Sequence, residues 1–251
     1  MHVRPGRITS GLDMTDIVTT IQTMSETWET FAGVLERRHC KRSFVDRPVS
    51  RALLERVLAT AGCAPSTRNG QPWRVSVLTG TARQALADAL CAEFDRGVAQ
   101  HADYVNRPSA TDAVTESRAR EAGEGVLRAK GIDRFDTGAR RAHLRDNLAF
   151  YGAPVEMVFH LPGPAPHGLF LEMGLFLQNV MLALVACGLG SCPQFSVAGY
   201  PDVIRAVLGL PDDRVVVCGL AVGYPDEAAK VNRFRPVRAA VDEYVRWHGS
   251  Q

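Results

Sequence analysis

The 251-residue chain predicts an α+β fold: five segments carry helical periodicity, three read as short strands, and the last strand is apolar nearly throughout, as in a sheet interior. Over residues 25–38, Trp28, Phe31, Ala32, Val34 and Leu35 recur at three- and four-residue spacings and predict the first helix. Ser50 caps the second, whose face is Leu53, Leu54, Val57, Leu58 and Ala61, and Gly62 stops it. Trp73, Val75 and Val77 alternate with Arg74 and Ser76, the pattern of a half-buried strand closed at Gly80, and residues 81–94 follow as a helix.

Residues 95–150 break the pattern. Charges are scattered, large apolar side chains are few, and Gly123, Gly125, Gly131 and Gly138 interrupt helical spacing, so the stretch predicts an irregular, lid-like excursion. After it come a strand over 154–161, a helix over 168–187 apolar on nearly every side, a helix from Pro201 to Leu208 opened by proline, and the final strand over 214–222. The apolar helix has the length of a membrane span, but Glu172, Gln178 and Asn179 inside it favour a buried core element, so no membrane is expected. The tail beyond Tyr224 holds too little apolar surface to fold alone and is expected to wrap another surface. Residues 1–24 read as a disordered or extended arm, with Met14 an alternative start, and residues 25–251 as one domain.

A net charge of +2 gives no general field for attracting nucleic acid or an anionic membrane. The six cysteines, Cys40, Cys63, Cys91, Cys187, Cys192 and Cys218, form no C-x-x-C pair and suit reduced thiols in a cytoplasmic protein. The N-terminus has no apolar core of the kind a secretory signal requires. The histidines lack metal-ligand spacing, so no metal is predicted. Cys40 and Cys192 have no recognisable base and read as buried or ligand-lining thiols.

Chemistry-bearing residues gather in three places. Residues 37–43 (RRHCKRS) hold five potential cations, and Arg38 and Arg42 are spaced to reach one anion such as a phosphomonoester; a solvated helix end is the other reading. The loop APSTRNGQPW at 64–73 sets hydroxyls and amides between prolines, offering the mixed donors and acceptors a heterocycle needs, or else an ordinary turn bonded to its own backbone. The third place joins GLGSCPQFS at 188–196 with NRFRP at 232–236; its glycines allow close backbone approach, but it is neither a P-loop nor a Rossmann fingerprint.

RRHCKRSF, APSTRNGQPW, GLGSCP and the closing GYPDE…NRFRP, in that order, resemble the flavin-dependent nitroreductase family over nearly the whole chain outside the arm and the excursion. The resemblance implies a three-layer fold, with a central mixed, mostly antiparallel sheet flanked by helices, in an intertwined homodimer with FMN at the subunit interface. By position, Arg38, His39, Cys40 and Arg42 would grip the FMN phosphate and ribityl chain, although the family more often has serine where Cys40 stands. Pro65, Ser66, Thr67, Asn69 and Gln71 would approach from the other subunit. Pro193, Gln194, Phe195 and Ser196 would form a turn along the isoalloxazine ring with a backbone N–H near N5, and Arg235, with Arg233, would return to the phosphate.

The resemblance further implies ping-pong hydride transfer from NADPH or NADH to a nitroaromatic, quinone or similar electron-poor small molecule. The chemistry would lie on flavin N5, with no protein acid or base nominated. Arg128, Lys130, Arg134, Arg140 and Arg141 tilt the expectation to NADPH through its 2′-phosphate. Alternatives within the fold are a non-catalytic FMN store or redox sensor, and a dehalogenase or flavin-destructase relative.

Overall fold

The computed structural model describes residues 14–249 except 107 and 109, with side chains from residue 24 onward. The elements are helices α1 (Met14–Arg37), α2 (Arg51–Ala61), α3 (Gly80–Asp95), α4 (Ala113–Ala129), α5 (Thr137–Leu148), α6 (His167–Ala186) and α7 (Pro201–Leu208), with strands β1 (Arg74–Thr79), β2 (Val155–Pro162), β3 (Gly190–Gln194) and β4 (Arg214–Gly223). The chain divides into two compact units, residues 1–38 and 39–251. Of the expected arm, residues 1–13 lie outside the described residues, while 14–24 are helical: no glycine or proline interrupts them, so the period seen from residue 25 extends toward the N-terminus. Within α1, Met24, Trp28, Phe31 and Leu35 form an exposed apolar stripe at spacings of four, three and four.

In the larger unit the four strands pair antiparallel in the order β1-β2-β4-β3, which places the apolar β4 inside the sheet as its sequence predicts. Strand periodicity splits β2 between two cores. Val155, Met157, Phe159 and Leu161 pack with Leu54 and Val57 of α2 and Met173, Phe176, Val180 and Leu184 of α6. Val158, on the other face, packs with Leu86 and Leu90 of α3, Leu148 of α5 and Ile204 of α7. Each of these large apolar side chains contributes about 1.5–3 kcal/mol by leaving water, so the three layers hold one another together. Ser50 caps α2, its Oγ accepting the Leu53 N–H at 3.3 Å.

Three expectations are corrected. Residues 95–150 are not irregular throughout but hold two helices: Asp112 caps α4 by accepting the Val114 and Thr115 N–H groups at 3.0 and 2.9 Å, and Asp136 caps α5 by accepting the Ala139 N–H at 2.8 Å. Gly123 and Gly125 sit inside α4, and Gly125 has a packing reason, because the Phe234 ring occupies the place its Cβ would take. The helix over 168–187 is buried along one side only, through Glu172, Met173, Phe176, Val180, Met181 and Leu184, while Leu171 is 68% and Leu175 40% exposed. By length and composition α6 is apolar enough to cross a membrane, yet here it packs on α2 and the sheet.

The GLGSCP segment is strand rather than turn. Residues 190–194 pair with 219–223 of β4, and Pro193 is tolerated because β3 is an edge strand of the sheet. Gly190 admits not a ligand but a side chain: a Cβ there would stand 2.6 Å from Lys41 Cγ.

Candidate functional site

The arginine-led segment lies along β3. The Lys41 N–H donates to the Ser191 carbonyl at 2.9 Å, Cys40 forms a parallel bridge with Ser191, and Phe44 pairs with Pro225 just beyond β4. Asn232, 1% exposed, ties this layer to the C-terminal motif. Its Oδ1 accepts the Arg42 N–H at 2.7 Å, and its Nδ2 donates to the carbonyls of Ser43 at 2.7 Å and Asp226 at 2.9 Å. His39 Nε2 donates to the Asn232 carbonyl at 2.7 Å, and Lys41 Nζ donates to the same oxygen at 3.3 Å while facing Glu227 at 3.5 Å. Segments more than 180 residues apart in sequence are thereby joined around one buried amide.

Beside this junction stands Arg42, half-buried and lining one cavity with Tyr151. Burial pulls the guanidinium pKa down, but Cys192, Cys40 and Tyr151 outweigh it and the net shift is upward, so the group is a fixed cation. Burial also raises the Tyr151 pKa, which keeps its hydroxyl protonated. Phe150 and Tyr151 have φ of 60° and 53°, a left-handed conformation that costs about 1–3 kcal/mol per residue and persists where packing fixes it. Packing does so here, since Phe150 is 0% and Tyr151 7% exposed. Arg42, Tyr151, Lys130, Asp146 and Lys230 line a cavity of about 370 Å³. The excursion thus reaches the site through Lys130 of the α4 C-terminus and Asp146 of α5, which pair with each other.

At the end of β3, Gln194 is 1% exposed and its Nε2 donates to Asn147 Oδ1 at 2.7 Å. Its Oε1, and the nearby Ser196 Oγ, are buried with no hydrogen-bond partner among the described residues. Pro193 is half-buried and Phe195 49% exposed. Polar atoms left over in this way call for a ligand or water that satisfies them. Together with the cationic Arg42 they suit a flavin mononucleotide, whose ring needs hydrogen-bonding partners and whose phosphate needs positive charge.

The proline-serine loop is a second, separate piece. Thr67, Arg68 and Asn69 form a 3-10 turn, and Arg68, Asn69 and Gln71 all take positive φ, 53°, 56° and 44°. Ser66 Oγ accepts the Gln71 N–H at 3.0 Å, and the carboxylate of Glu172, on α6, accepts the Thr67 N–H at 2.8 Å. Pro65, Thr67, Asn69 and Gln71 stay exposed and Ser66 half-buried, so the loop is a strained, anchored surface. It is fastened to α6 rather than to the Asn232 junction.

The remaining expected residues divide. Arg38 ends the N-terminal unit, its N–H bonding to the carbonyls of Val34 and Leu35. Arg233 and Arg235 are exposed beside Asn232, with Arg233 Nε donating to the Glu227 carbonyl at 3.1 Å. Of the five excursion cations, Arg134 pairs with Glu124, Arg140 donates to the Arg134 carbonyl and Arg141 to that of Phe94, and Lys130, unlike Arg128, lines the cavity. Sequence reasoning missed Asn232, Tyr151 and Glu172 as site residues. Glu172 had a signal, as a lone carboxylate in an apolar helix.

A three-layer α+β unit with an arginine-led segment laid along an edge strand defines the nitroreductase-like class. The chain belongs to the nitroreductase family, whose model, described as "Nitroreductase family", matches residues 35–224. A 4-nitrobenzoate reductase of Pseudomonas putida is 35% identical over 224 residues, which cover 87% of this chain and 96% of that protein. Nitroreductase NfnB of Mycolicibacterium smegmatis is 34% identical over 215 residues, covering 85% of this chain and 91% of that protein. Among solved structures, the FMN and NADPH-dependent nitroreductase NfnB from sphigopyxis sp. strain HMH superposes with a TM-score of 0.85 at 40% identity, over 88% of this chain and 99% of that one.

Proposed function

We propose that this protein is an FMN-dependent oxidoreductase that carries hydride from NADPH or NADH to a nitroaromatic, quinone or similarly electron-poor acceptor. The observation that carries the reading is the Asn232 junction, which holds the segment carrying the cationic Arg42 along β3, at and just beyond whose end Gln194 Oε1 and Ser196 Oγ are buried with no hydrogen-bond partner among the described residues. Bound FMN supplies hydride transfer; the protein supplies binding, orientation and electrostatics.

In this reading His39, Cys40 and Arg42 hold the phosphate and ribityl chain, with Arg38, Arg233 and Arg235 adding charge at the phosphate. Pro193, Gln194, Phe195 and Ser196 border the ring. Arg42, lining the cavity with Tyr151, presents a fixed positive charge to the phosphate. Lys130 and Lys230 at the cavity give an anionic acceptor or the nicotinamide nucleotide a cationic border. NADPH is the favoured reductant, since the NfnB from sphigopyxis is described as NADPH-dependent.

The acting unit is a homodimer. Its support is exposed apolar surface that a monomer would leave wet: the stripe on α1, Leu171 and Leu175 on α6, and Val237, Tyr244 and Trp247 in the tail, at 88%, 68% and 81%. In such a dimer the loop carrying Pro65, Ser66, Thr67, Asn69 and Gln71 serves the partner's FMN. We place the protein in the cytoplasm on the strength of its six cysteines, none disulfide-bonded.

The test is an assay of purified, FMN-loaded protein with NADPH and 4-nitrobenzoate, nitrobenzene or a benzoquinone. NADPH consumption that requires both acceptor and FMN supports the reading. No acceptor-dependent consumption with any of the three overturns it.

A further inference from the structure

We infer that Cys40 and Cys192 are a redox-active dithiol that closes to a disulfide when a hydroperoxide reaches the site. The parallel bridge between Cys40 and Ser191 brings the two backbones to strand spacing. At about 4.8 Å between strands and 3.3 Å along one, a neighbour offset by one residue has its Cα roughly 6 Å away. Disulfides span Cα separations of about 4.4–6.8 Å. Cys40 packs against the buried cluster that holds Cys192, and the Arg42 guanidinium acts on both electrostatically. Of the other four, Cys63 is exposed, Cys187 Sγ accepts from Arg56, and Cys91 and Cys218 are buried, and none of them neighbours the Cys40 bridge at Ser191.

The two sulfurs differ in a way that orders the steps. Cys192 is 2% exposed, and the neighbouring Cys40, followed by burial, pushes its pKa well up, so it stays protonated. Cys40 is half-buried, the more exposed of the two sulfurs' residues. Its sulfur attacks one peroxide oxygen, the O–O bond breaks, and one water leaves with the thiol proton, giving a sulfenic acid on Cys40. The Cys192 sulfur then attacks the Cys40 sulfur, the S–O bond breaks, and a second water leaves with the Cys192 proton. Two thiols lose two electrons and hydrogen peroxide gains them. The bond would pin the arginine-led segment to β3.

The test is peptide mapping without reductant after the FMN-loaded protein is treated with a slight excess of hydrogen peroxide and quenched with an alkylating agent. The expected result is one linked species joining the Cys40 and Cys192 peptides, lighter by two hydrogens than their sum and reversed by dithiothreitol, with Cys63 still alkylated. Recovery of Cys40 and Cys192 as alkylated thiols, or of Cys40 as sulfinic acid beside alkylated Cys192, overturns the inference. Cys192→Ala should abolish the link and let a sulfenic acid be trapped on Cys40. Should that variant fail to fold, mapping of the unaltered chain decides alone, and Cys63→Ser should leave the link intact.

Discussion

Asn232 Oδ1 accepts the backbone N–H of Arg42 at 2.7 Å, across 190 residues of sequence, while Nδ2 of the same amide donates to Ser43 and Asp226. Asn232→Ala leaves one buried N–H and two carbonyls without this partner. Unpaired buried groups cost about 1–3 kcal/mol each and do not add fully, so a loss of roughly 2–4 kcal/mol is expected. Chemical denaturation measures it, and fluorescence titration should show FMN affinity at least tenfold weaker. Asn232→Asp keeps the acceptor and loses the donors, and should fall between.

Gly125 makes α4 part of the site, because its missing side chain admits the Phe234 ring that follows Arg233. Gly125→Ala raises intrinsic helix propensity, yet overpacking costs about 1–3 kcal/mol and should win. A lower melting temperature together with weaker FMN binding is expected; a stabilised variant would show that α4 does not dock on this motif.

Glu156, on β2, is fully buried, and burial raises its pKa well above the ordinary value against the opposing pull of Arg83 and the Leu220 backbone. A folded-state pKa above the unfolded one means the folded state holds the proton more tightly. The associated stability is complete below the unfolded value, about 4.3, and is lost as pH rises toward the folded one. Glu156→Gln cannot ionise. The melting-temperature difference, variant minus wild type, should therefore grow more positive from pH 4 to pH 8, at about 2–4 °C per kcal/mol for a chain of this size. A difference independent of pH would mean that Glu156 is ionised in the fold.

Trp28 and Phe31, on the α1 stripe, are 64% and 51% exposed. Replacing both with glutamate sets charge where a partner subunit would bury aromatic rings, and should shift the protein from dimer to monomer in sedimentation analysis. FMN should be lost with the dimer. A double variant that stays dimeric would remove the stripe from the interface.

Helices and strands with clean periods were legible in the sequence: the core face of α2, the Pro201 start of α7 and the central β4 all lie where their residues predict. What failed was what distant partners decide. Gly125 looks like a helix breaker until Phe234 is known to rest on it. Gly190 looks like a ligand contact until Lys41 fills the space, and a segment holding two glycines and a proline gives no strand signal unless its place at a sheet edge is known. The first and third clusters were recognisable as polar motifs, but their meeting at Asn232 depends on chain topology that no local pattern carries. The same holds for Tyr151, whose left-handed backbone is imposed by its surroundings.

The central claim is that FMN held at the Arg42 and Asn232 junction passes hydride from nicotinamide to an acceptor. Anaerobic titration of the FMN-loaded protein with NADPH, followed by visible absorbance, tests it most directly. Stoichiometric bleaching of the flavin band, restored when 4-nitrobenzoate is added, is the predicted result. A yellow protein whose spectrum excess NADPH and NADH both leave unchanged would contradict it.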